Sequence, residues 1–436
     1  MGVLLGMLIV TPMVFAAVGR LVGIPGRVWG PAAAGLAAAG GFGLGALVAV
    51  GGSAAWVVAD GNGRALIGLQ ADQLVAVLLP LVCTISAVVQ LFARRYLWGD
   101  RRAERFFAAT AVLTSATAIL VSAASMVVLA LGWTVAGCAL CVLLGLYAEL
   151  PTARDGLRRT ARAFAVGDLA LWVAVTVIVI DWGDGDLRAG HLSRLTATGW
   201  WQTAAVAALL LLAAASRSAQ LPFHRWLPAT LAAPTPVSAL LHAGVVNAGA
   251  ILLLRSGSIV GSSTAVMHAA FILGAATAVY ATVLMLTKPD IKGALAHSTM
   301  GQMGFMIMTC GLGLFAASIF HLVGHGMYKA TLFLGSGSAV RRHLRRRHAP
   351  PPASLSRKQS WTLGALASVI PAAVVFGAVS MLPETISAHN AGLVMVFAWA
   401  TAAWASWAWL RQRLCTWRVL AAVIALIIAI PAYLAA

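Results

Sequence analysis

Apolar runs of about twenty residues recur along the whole chain, separated by short segments rich in charged residues, glycine and proline. A helix of that length crosses the hydrocarbon core of a bilayer. The pattern therefore predicts an all-α polytopic membrane protein with about 14 transmembrane helices. The predicted spans are residues 2–18, 31–58, 73–93, 106–122, 125–147, 164–181, 199–215, 236–254, 264–287, 291–311, 314–338, 361–382, 391–410 and 419–435.

The composition excludes a soluble globular protein, because 61% of the 436 residues are hydrophobic and only 10% are charged. No basic segment precedes the first apolar run, and no small-residue cleavage site stands out after it. We therefore expect this run to be a retained span rather than a signal peptide, and the mature protein to begin near Met1.

Positive charge is distributed unevenly between alternate loops. The loops after odd-numbered spans hold 25 of the 30 basic residues, whereas the opposite loops hold Arg64, Arg188, Arg194 and Arg255. Basic loops stay in the cytoplasm, so the asymmetry predicts that both termini lie outside the cell (inner) membrane. The formal charge of +18 does not indicate nucleic-acid binding, because the basic residues alternate with spans instead of forming one patch.

The longest basic interruption is the segment 341–358, RRHLRRRHAPPPASLSRK. Its composition predicts a flexible, exposed connector. Two interpretations remain open: the segment anchors the neighbouring spans by its positive charge, or it docks an acidic soluble partner or anionic lipid.

Covalent chemistry is not expected in this chain. The five cysteines lie in or beside apolar spans, and the one C-x-x-C pair, Cys138 and Cys141, has no second pair. Neither a metal, nor a disulfide, nor another cofactor is therefore expected. The sequence also contains no phosphate-binding loop or cluster of nucleophiles.

Ionisable residues at membrane depth are costly, and they are functional candidates by default. In the eleventh span His321, His325 and Lys329 recur every four residues, so they follow one helical face. Imidazole protonates easily near neutral pH, and low-dielectric surroundings favour the neutral amine, so this face can carry protons. Two alternatives remain open: buried imidazoles that bond to the backbone, or a zinc-binding histidine pair.

A polar, proline-punctuated stretch separates the seventh and eighth spans, between Ser216 and Arg255. This stretch and the tenth and eleventh spans carry the motifs Ser218-Ala219-Gln220-Leu221-Pro222, Trp226-Leu227-Pro228, Pro234-Thr235-Pro236-Val237-Ser238-Ala239-Leu240-Leu241-His242-Ala243, Ser298-Thr299 with Gln302, and HLxxHxxxKAxLFLxSGS over residues 321–338. By these motifs the chain resembles the antiporter-like subunits of respiratory complex I and of Mrp-type cation antiporters. The resemblance extends over roughly residues 60 to 345.

The resemblance implies two inverted five-helix repeats, each with one interrupted helix, the first of them the seventh span. The corresponding domains are an N-terminal three-span segment (1–105), a first repeat (106–255), a second repeat (264–410) and a C-terminal span (411–436).

The resemblance also assigns roles to single residues. Lys329 matches the lysine of the central axis, and His242 matches the histidine that bridges it to the first repeat; the alternative for His242 is a satisfied core histidine. Ser298 and Gln302 match polar positions that can hold a water wire between titrating sites.

Three departures from the family pattern affect function. Thr134 stands where the family has a functional glutamate, and Arg217 stands where the first repeat has a lysine; an arginine keeps its proton. The twelfth span lacks lysine and glutamate, and the long lateral helix of complex I's largest antiporter-like subunit is not found before Ala436. Asp168 is the retained acid, and we expect it to pair with Arg217. Asp72 is expected to be a helix-end acid.

Three functions remain open. One is an ion-translocating subunit of complex I, that is, of an NADH-quinone oxidoreductase, or of an Mrp antiporter. The second, which we prefer, is the DabB-type membrane subunit of a two-component inorganic-carbon accumulation system; it would conduct H⁺ or Na⁺ and drive a large cytoplasmic zinc-containing DabA-like partner. The third is a non-conducting membrane scaffold.

Overall fold

The computed structural model describes residues 1–61, 63–183, 185–188, 199–347 and 357–379, together with residues 399, 403 and 407. The described helices and strands are α1 (Gly2–Val22), α2 (Gly26–Gly51), β1 (Ala54–Ala59), β2 (Ala65–Ala71), α3 (Gln73–Tyr96), α4 (Ala103–Ser122), α5 (Met126–Leu144), α6 (Pro151–Thr176), α7 (Trp200–Arg217), α8 (Trp226–Ala229), α9 (Thr235–Ala243), α10 (Ala248–Arg255), α11 (Gly257–Gly261), α12 (Thr264–Thr287), α13 (Ile291–Gly311), α14 (Phe315–Arg347) and α15 (Arg357–Val379). Eight helical segments of this part of the chain are long and apolar enough to cross a membrane.

Local sequence explains where several helices begin and end. Asp72 caps α3 by accepting a hydrogen bond from the amide of Val75 at 2.9 Å, and Asp290 caps α13 in the same way through Gly293. Such caps satisfy amides that have no partner within the helix. Between these ends, apolar residues fill the helices.

The predicted spans agree with the described helices in position but not in every detail. Each of the first twelve spans coincides with a helix or a run of short helices, and the last two lie almost entirely outside the described residues. The second span was expected to reach residue 58, which is wrong: α2 ends at Gly51, and residues 54–59 form a strand. Gly52, at a φ of 77°, ends the helix, and β-branched residues follow. The number of spans and the two repeats stay predictions.

The strand β1 pairs with β2 in an antiparallel hairpin that periodicity did not predict. The buried carboxylate of Asp186 holds the hairpin by accepting a hydrogen bond from the amide of Ala65 at 3.0 Å. Burial opposes ionisation of Asp186, but hydrogen bonds from Arg188 and Ala65 outweigh it and hold the pKa of Asp186 below its ordinary value.

The chain divides into two compact units. The first contains residues 1–313 and 321–340, and therefore includes most of α14 together with all helices before it. The second contains residues 314–320 and 341–436, within which Leu363 and Ala367 of α15 are buried against Trp407.

Two interruptions within the first unit place backbone and polar side chains inside the helical bundle. The predicted break after Arg217 is present: α7 ends there, Ala219 has a left-handed φ of 52°, and short helical turns lead to α9. A left-handed conformation costs an ordinary residue about 1–2 kcal/mol, so the surrounding structure must hold it. The second break, at Gly244, separates α9 from α10 immediately after His242 and was not predicted.

Candidate functional site

The centre of the first polar cluster is Arg217, at the end of α7, whose side chain is 1% exposed. Its Nη2 donates to Oδ1 of Asp168 on α6 at 2.7 Å, and Nη1 donates to the carbonyl oxygen of Trp133 on α5 at 3.3 Å. The ion pair expected between Asp168 and Arg217 is therefore present.

Aromatic rings enclose this ion pair. The Cζ atom of Arg217 lies 4.4 Å from the ring centroid of Trp133 and 4.0 Å from that of Phe164. The indole Nε1 of Trp133 also donates to Oδ1 of Asp168 at 2.7 Å. A Cβ atom added at Gly137 would lie 2.8 Å from Nη1, so a larger residue there would require the guanidinium to shift. The packing fixes a permanent positive charge at one position.

Thr134 faces away from this cluster, although its neighbour Trp133 forms one wall. The hydroxyl of Thr134 accepts a hydrogen bond from Nε1 of Trp172 at 3.0 Å. Thr134, at the position where the resemblance implies a glutamate, is therefore a neutral acceptor for a tryptophan. Asp168 supplies the carboxylate that binds Arg217.

The second polar cluster is centred on Lys329 of α14, which is fully buried. Its Nζ donates to the hydroxyl of Ser298 at 2.7 Å and to the carbonyl oxygen of Leu295 at 3.4 Å, both on α13. Within the described part of the chain no carboxylate forms an ion pair with Lys329. In this part of the chain the amine is therefore held by neutral oxygens.

One helical turn from Lys329, His325 forms hydrogen bonds through both ring nitrogens. Nε2 lies 3.0 Å from the backbone oxygen of His242, and Nδ1 lies 2.6 Å from Oε1 of Gln302. A carbonyl oxygen only accepts, so Nε2 carries a proton. An imidazolium would donate through Nδ1 to Oε1 as well. The neutral ring requires Gln302 to turn its amide nitrogen towards Nδ1 instead.

Pairs of residues from α13 and α14 form a ladder. Ser298 binds Lys329, Gln302 binds His325, and one turn further the ring of Phe305 lies 5.0 Å from that of His321. The rings of His321 and His325 are 6.0 Å apart. The ladder thus brings five of the predicted site residues together and ends at an aromatic side chain.

The side chain of His242 contacts this ladder differently from what its role in the family suggests. Its ring stacks on Phe333 of α14, with centroids 4.2 Å apart and an interplanar angle of 13°. Among the residues that the structure describes, its buried Nδ1 has no hydrogen-bond partner, and neither has Nε2 of His321. The backbone of His242, rather than its ring, binds His325, because α9 ends one residue later.

A short link joins the two clusters through the second break. The hydroxyl of Ser218, next to Arg217, donates to the carbonyl oxygen of Val246 at 2.7 Å. Asn247 donates to the carbonyl oxygen of Ala243 at 2.9 Å, beside His242. These two hydrogen bonds connect the end of α7 with the segment whose backbone binds His325.

Sequence reasoning missed several residues of these clusters. Trp133, Phe164 and Phe333 read as ordinary apolar residues; Trp133 stands beside Thr134 and Phe333 lies within the motif of residues 321–338, but neither position indicated a contact with the clusters. Asp72 is a helix cap as expected, but it also forms an ion pair with Arg255, 183 residues away, that the sequence did not reveal.

Comparison with known proteins assigns the chain to a family. Residues 123–411 match the family described as "NADH:quinone oxidoreductase/Mrp antiporter, TM", and residues 56–107 match "NADH-Ubiquinone oxidoreductase (complex I), chain 5 N-terminus". The chain belongs to the NADH:quinone oxidoreductase/Mrp antiporter family of multi-pass membrane proteins.

Individual relatives fall into more than one functional group. The "Probable inorganic carbon transporter subunit DabB1" of Halothiobacillus neapolitanus is 34% identical over 351 residues, which are 76% of this chain and 62% of that protein. The "NADH-ubiquinone oxidoreductase chain 5" of Metridium senile is 31% identical over 63% of this chain and 46% of its own length. In the solved structure of the Mrp complex from Dietzia sp. DQ12-45-1b, a chain that is 25% identical superposes with a TM-score of 0.71 over 98% of this chain and 50% of its own length. The chain thus spans about half to three-fifths of the length of these relatives.

Proposed function

We propose that the chain is the membrane subunit of an energy-coupled inorganic carbon (CO₂/bicarbonate) accumulation complex, in which ion conduction drives a cytoplasmic zinc-containing DabA-like partner. The observation that carries this proposal is the buried ladder of Lys329, His325 and His321, which has the chemistry of a proton path. The name of the Halothiobacillus neapolitanus relative supports the substrate class.

The conducted ion is H⁺ rather than Na⁺ in this proposal, because the ladder offers nitrogen bases instead of a cage of oxygen ligands. Lys329 receives a proton while Ser298 and Leu295 solvate the ammonium. Transfer towards His325 produces the imidazolium, whose two N–H groups bind Gln302 and the carbonyl oxygen of His242. Rotation of the Gln302 amide accompanies each change of charge on His325.

The fixed ion pair of Arg217 and Asp168 acts as an electrostatic gate in this scheme. A positive charge on Lys329 or His325 repels Arg217, and the link from Ser218 to Val246 lies between the two clusters. The proposed orientation places both termini outside the inner membrane, with the basic loops in the cytoplasm, where the partner binds.

The experiment that tests the proposal joins two measurements. The chain and its zinc-containing partner are produced in a host that requires added carbon dioxide, and growth in ordinary air is recorded. We expect growth only when both proteins are present and the proton gradient is intact. Purified chain in vesicles should also pass H⁺. Growth without the partner, or vesicles that are tight to H⁺, would contradict the proposal.

A second candidate function is proton translocation as an antiporter-like subunit of complex I or of an Mrp antiporter, which the Metridium senile relative and the Dietzia Mrp complex favour. Affinity purification separates the candidates. A soluble zinc protein should accompany the chain under the first proposal, whereas other membrane subunits of a respiratory complex should accompany it under the second. A non-conducting scaffold would pass no H⁺ in vesicles.

A further inference from the structure

A groove with a volume of about 740 Å³ opens between the end of α1, the first half of α4 and the middle of α5. Its walls are apolar and include Val112, Val135, Ala139 and Val142. Val135 and Val142 are exposed on the surface of the described structure, so the groove opens sideways on an apolar face of the helices. The volume is in the range that binds a single organic ligand.

One end of this groove is basic. Arg20, at the end of α1, and Arg101 and Arg105, at the start of α4, line it together with Glu104. Both carboxylate oxygens of Glu104 accept a hydrogen bond from the amide of Gly26 at 2.9 Å, so this acid is already engaged. The N-terminal end of α4 adds its partial positive charge to the three guanidinium groups.

The three arginines differ from their basic neighbours. No hydrogen bond or ion pair is formed by Arg20, Arg101 or Arg105 within the described part of the chain. In contrast, Arg102 pairs with Glu149 and stacks on a tyrosine ring, and Arg27 lies 4.5 Å from the ring centroid of Trp98. Three unpaired guanidinium groups beside an apolar groove match an amphiphile with an anionic head.

We propose that this groove binds one anionic phospholipid. Its phosphate lies against Arg20, Arg101 and Arg105, which bind phosphate oxygens through charge-assisted hydrogen bonds. An acyl chain lies along α4 and α5 and reaches Thr134, which also lines the groove. The site is separate from the ladder around Lys329, and it does not depend on the proposed transport function.

The first test measures headgroup selectivity on the full chain in detergent by native mass spectrometry, with phosphatidylglycerol and phosphatidylcholine titrated separately. The triple variant Arg20→Gln, Arg101→Gln, Arg105→Gln should lose about a hundredfold in affinity for phosphatidylglycerol, because each basic residue near a headgroup contributes roughly fivefold. Its affinity for phosphatidylcholine should change little. The matched control removes three other exposed arginines by Arg94→Gln, Arg95→Gln and Arg158→Gln. Equal losses in the two triple variants would overturn the proposal.

The second test asks whether the groove, and not only its basic end, holds the ligand. Val142→Trp fills the apolar part while all arginines remain, and phosphatidylglycerol binding should fall about tenfold. Glycerophosphate, which has the headgroup charge without acyl chains, should not compete. Unchanged lipid binding by Val142→Trp, or full competition by glycerophosphate, would show a simple anion site instead.

A third measurement needs no variant of the basic end, so it is informative even if the triple variant does not fold. Cys138 lines the groove and is exposed, whereas Cys83 and Cys310 are buried. Phosphatidylglycerol should slow alkylation of Cys138 by a membrane-permeant maleimide about fivefold more than phosphatidylcholine does. The Cys138→Ala variant gives the background from the other thiols. Equal rates in the two lipids would overturn the proposal.

Discussion

Arg217 and Lys329 are both buried cations close to a break in the helical bundle, but their surroundings differ. Arg217 has a carboxylate at 2.7 Å and two aromatic rings against its guanidinium, whereas Lys329 has a hydroxyl at 2.7 Å and a carbonyl oxygen. An arginine stays charged at any physiological pH, so burying it without an acid would be very costly. A lysine can become neutral, and it therefore tolerates a site without an acid.

The comparison shows that the groups which contact a buried cation indicate its role. The ion pair of Arg217 and Asp168 is a fixed dipole. A proton that moves nearby can change the electrostatic energy of this dipole but does not neutralise it. The amine of Lys329 can change its charge, and the ladder around it provides hydrogen-bond partners for more than one protonation state of the histidines. The first unit thus contains one buried cation with a carboxylate partner and one that neutral oxygens hold.

The largest effect is expected for Lys329→Ala, which removes the variable charge. Proton flux into vesicles should fall to the level of empty vesicles, while the protein still inserts, because the change leaves no unpaired charge. The matched control is Lys288→Ala, at the exposed end of α12, which should conduct normally. Normal flux through Lys329→Ala would remove this residue from the pathway.

Asp168→Asn should be the most destabilising of the conservative changes, because it leaves the guanidinium of Arg217 buried without a counter-charge. Removing one partner of a buried pair costs about 3–5 kcal/mol, and the partial exposure of Asp168 places the expected loss near the lower value. Thermal unfolding in detergent measures the loss. Asp155→Asn on the same helix breaks an exposed pair with Arg159 and should cost about 0.3–0.5 kcal/mol. Similar losses in both variants would show that the buried pair is not special.

Arg217→Lys should be tolerated better than Arg217→Ala, because the ammonium preserves the charge opposite Asp168. The lysine loses the hydrogen bond to the backbone of Trp133 and part of the contact with the rings, so we expect about 2 kcal/mol of destabilisation. Membrane abundance and thermal unfolding, measured for both variants, show which of the two is more stable. If alanine and lysine behave alike, the shape of the guanidinium, and not its charge, is required at this position.

Gln302→Leu tests whether the amide follows the protonation of His325. Leucine cannot bond to Nδ1, so the buried nitrogen loses its partner at a cost of about 1–2 kcal/mol. Proton flux should slow and respond differently to pH, since neither charge state of His325 is then solvated on that side. Gln302→Glu is the comparison variant, and it should favour the imidazolium and flatten the pH response. A pH profile identical to the parent in both variants would contradict the role of the amide.

The smallest effect is expected for Asp72→Asn. Asparagine remains a good N-cap for α3, so only the ion pair with Arg255 is lost. Arg255 keeps its hydrogen bond to the carbonyl oxygen of Val121 at 3.1 Å. Although Arg255 is only 6% exposed, its two hydrogen bonds to Val121 and the amide oxygen of the asparagine still solvate its charge, so we expect a loss of about 1 kcal/mol by thermal unfolding. A loss as large as that of Asp168→Asn would show that the hydrogen bonds to Val121 do not compensate the charge of Arg255.

The apolar runs and the pair of Arg217 and Asp168 could be predicted from the sequence, because the bilayer demands long helices and a buried arginine demands an acid. The hairpin of β1 and β2 could not be predicted, since Trp56, Val57 and Val58 continue the apolar run and only pairing with β2, which follows after five residues, makes them a strand. The rings that enclose Arg217 were equally hidden, because apolar periodicity does not show which face of α5 or α6 meets which neighbour.

The roles within the ladder were only partly visible in the sequence. Spacing alone placed His321, His325 and Lys329 on one face of a helix. It did not show that His325 would bond to the backbone of His242, because that contact depends on the end of α9 at Gly244. Motifs reveal side chains, whereas a carbonyl oxygen exposed by a helix break leaves no signal in the pattern of residue types.

The close approach of Gly137 to Arg217 has an evolutionary consequence. The guanidinium lies 2.8 Å from the place of a Cβ atom at position 137, so a side chain added there requires it to move. The two positions therefore share one volume and should change together among related sequences: lysine at 217 frees that space and permits alanine or serine at 137. A glycine at 137 would then indicate relatives in which residue 217 carries a permanent charge. A larger residue at 137 would indicate relatives in which residue 217 can still titrate.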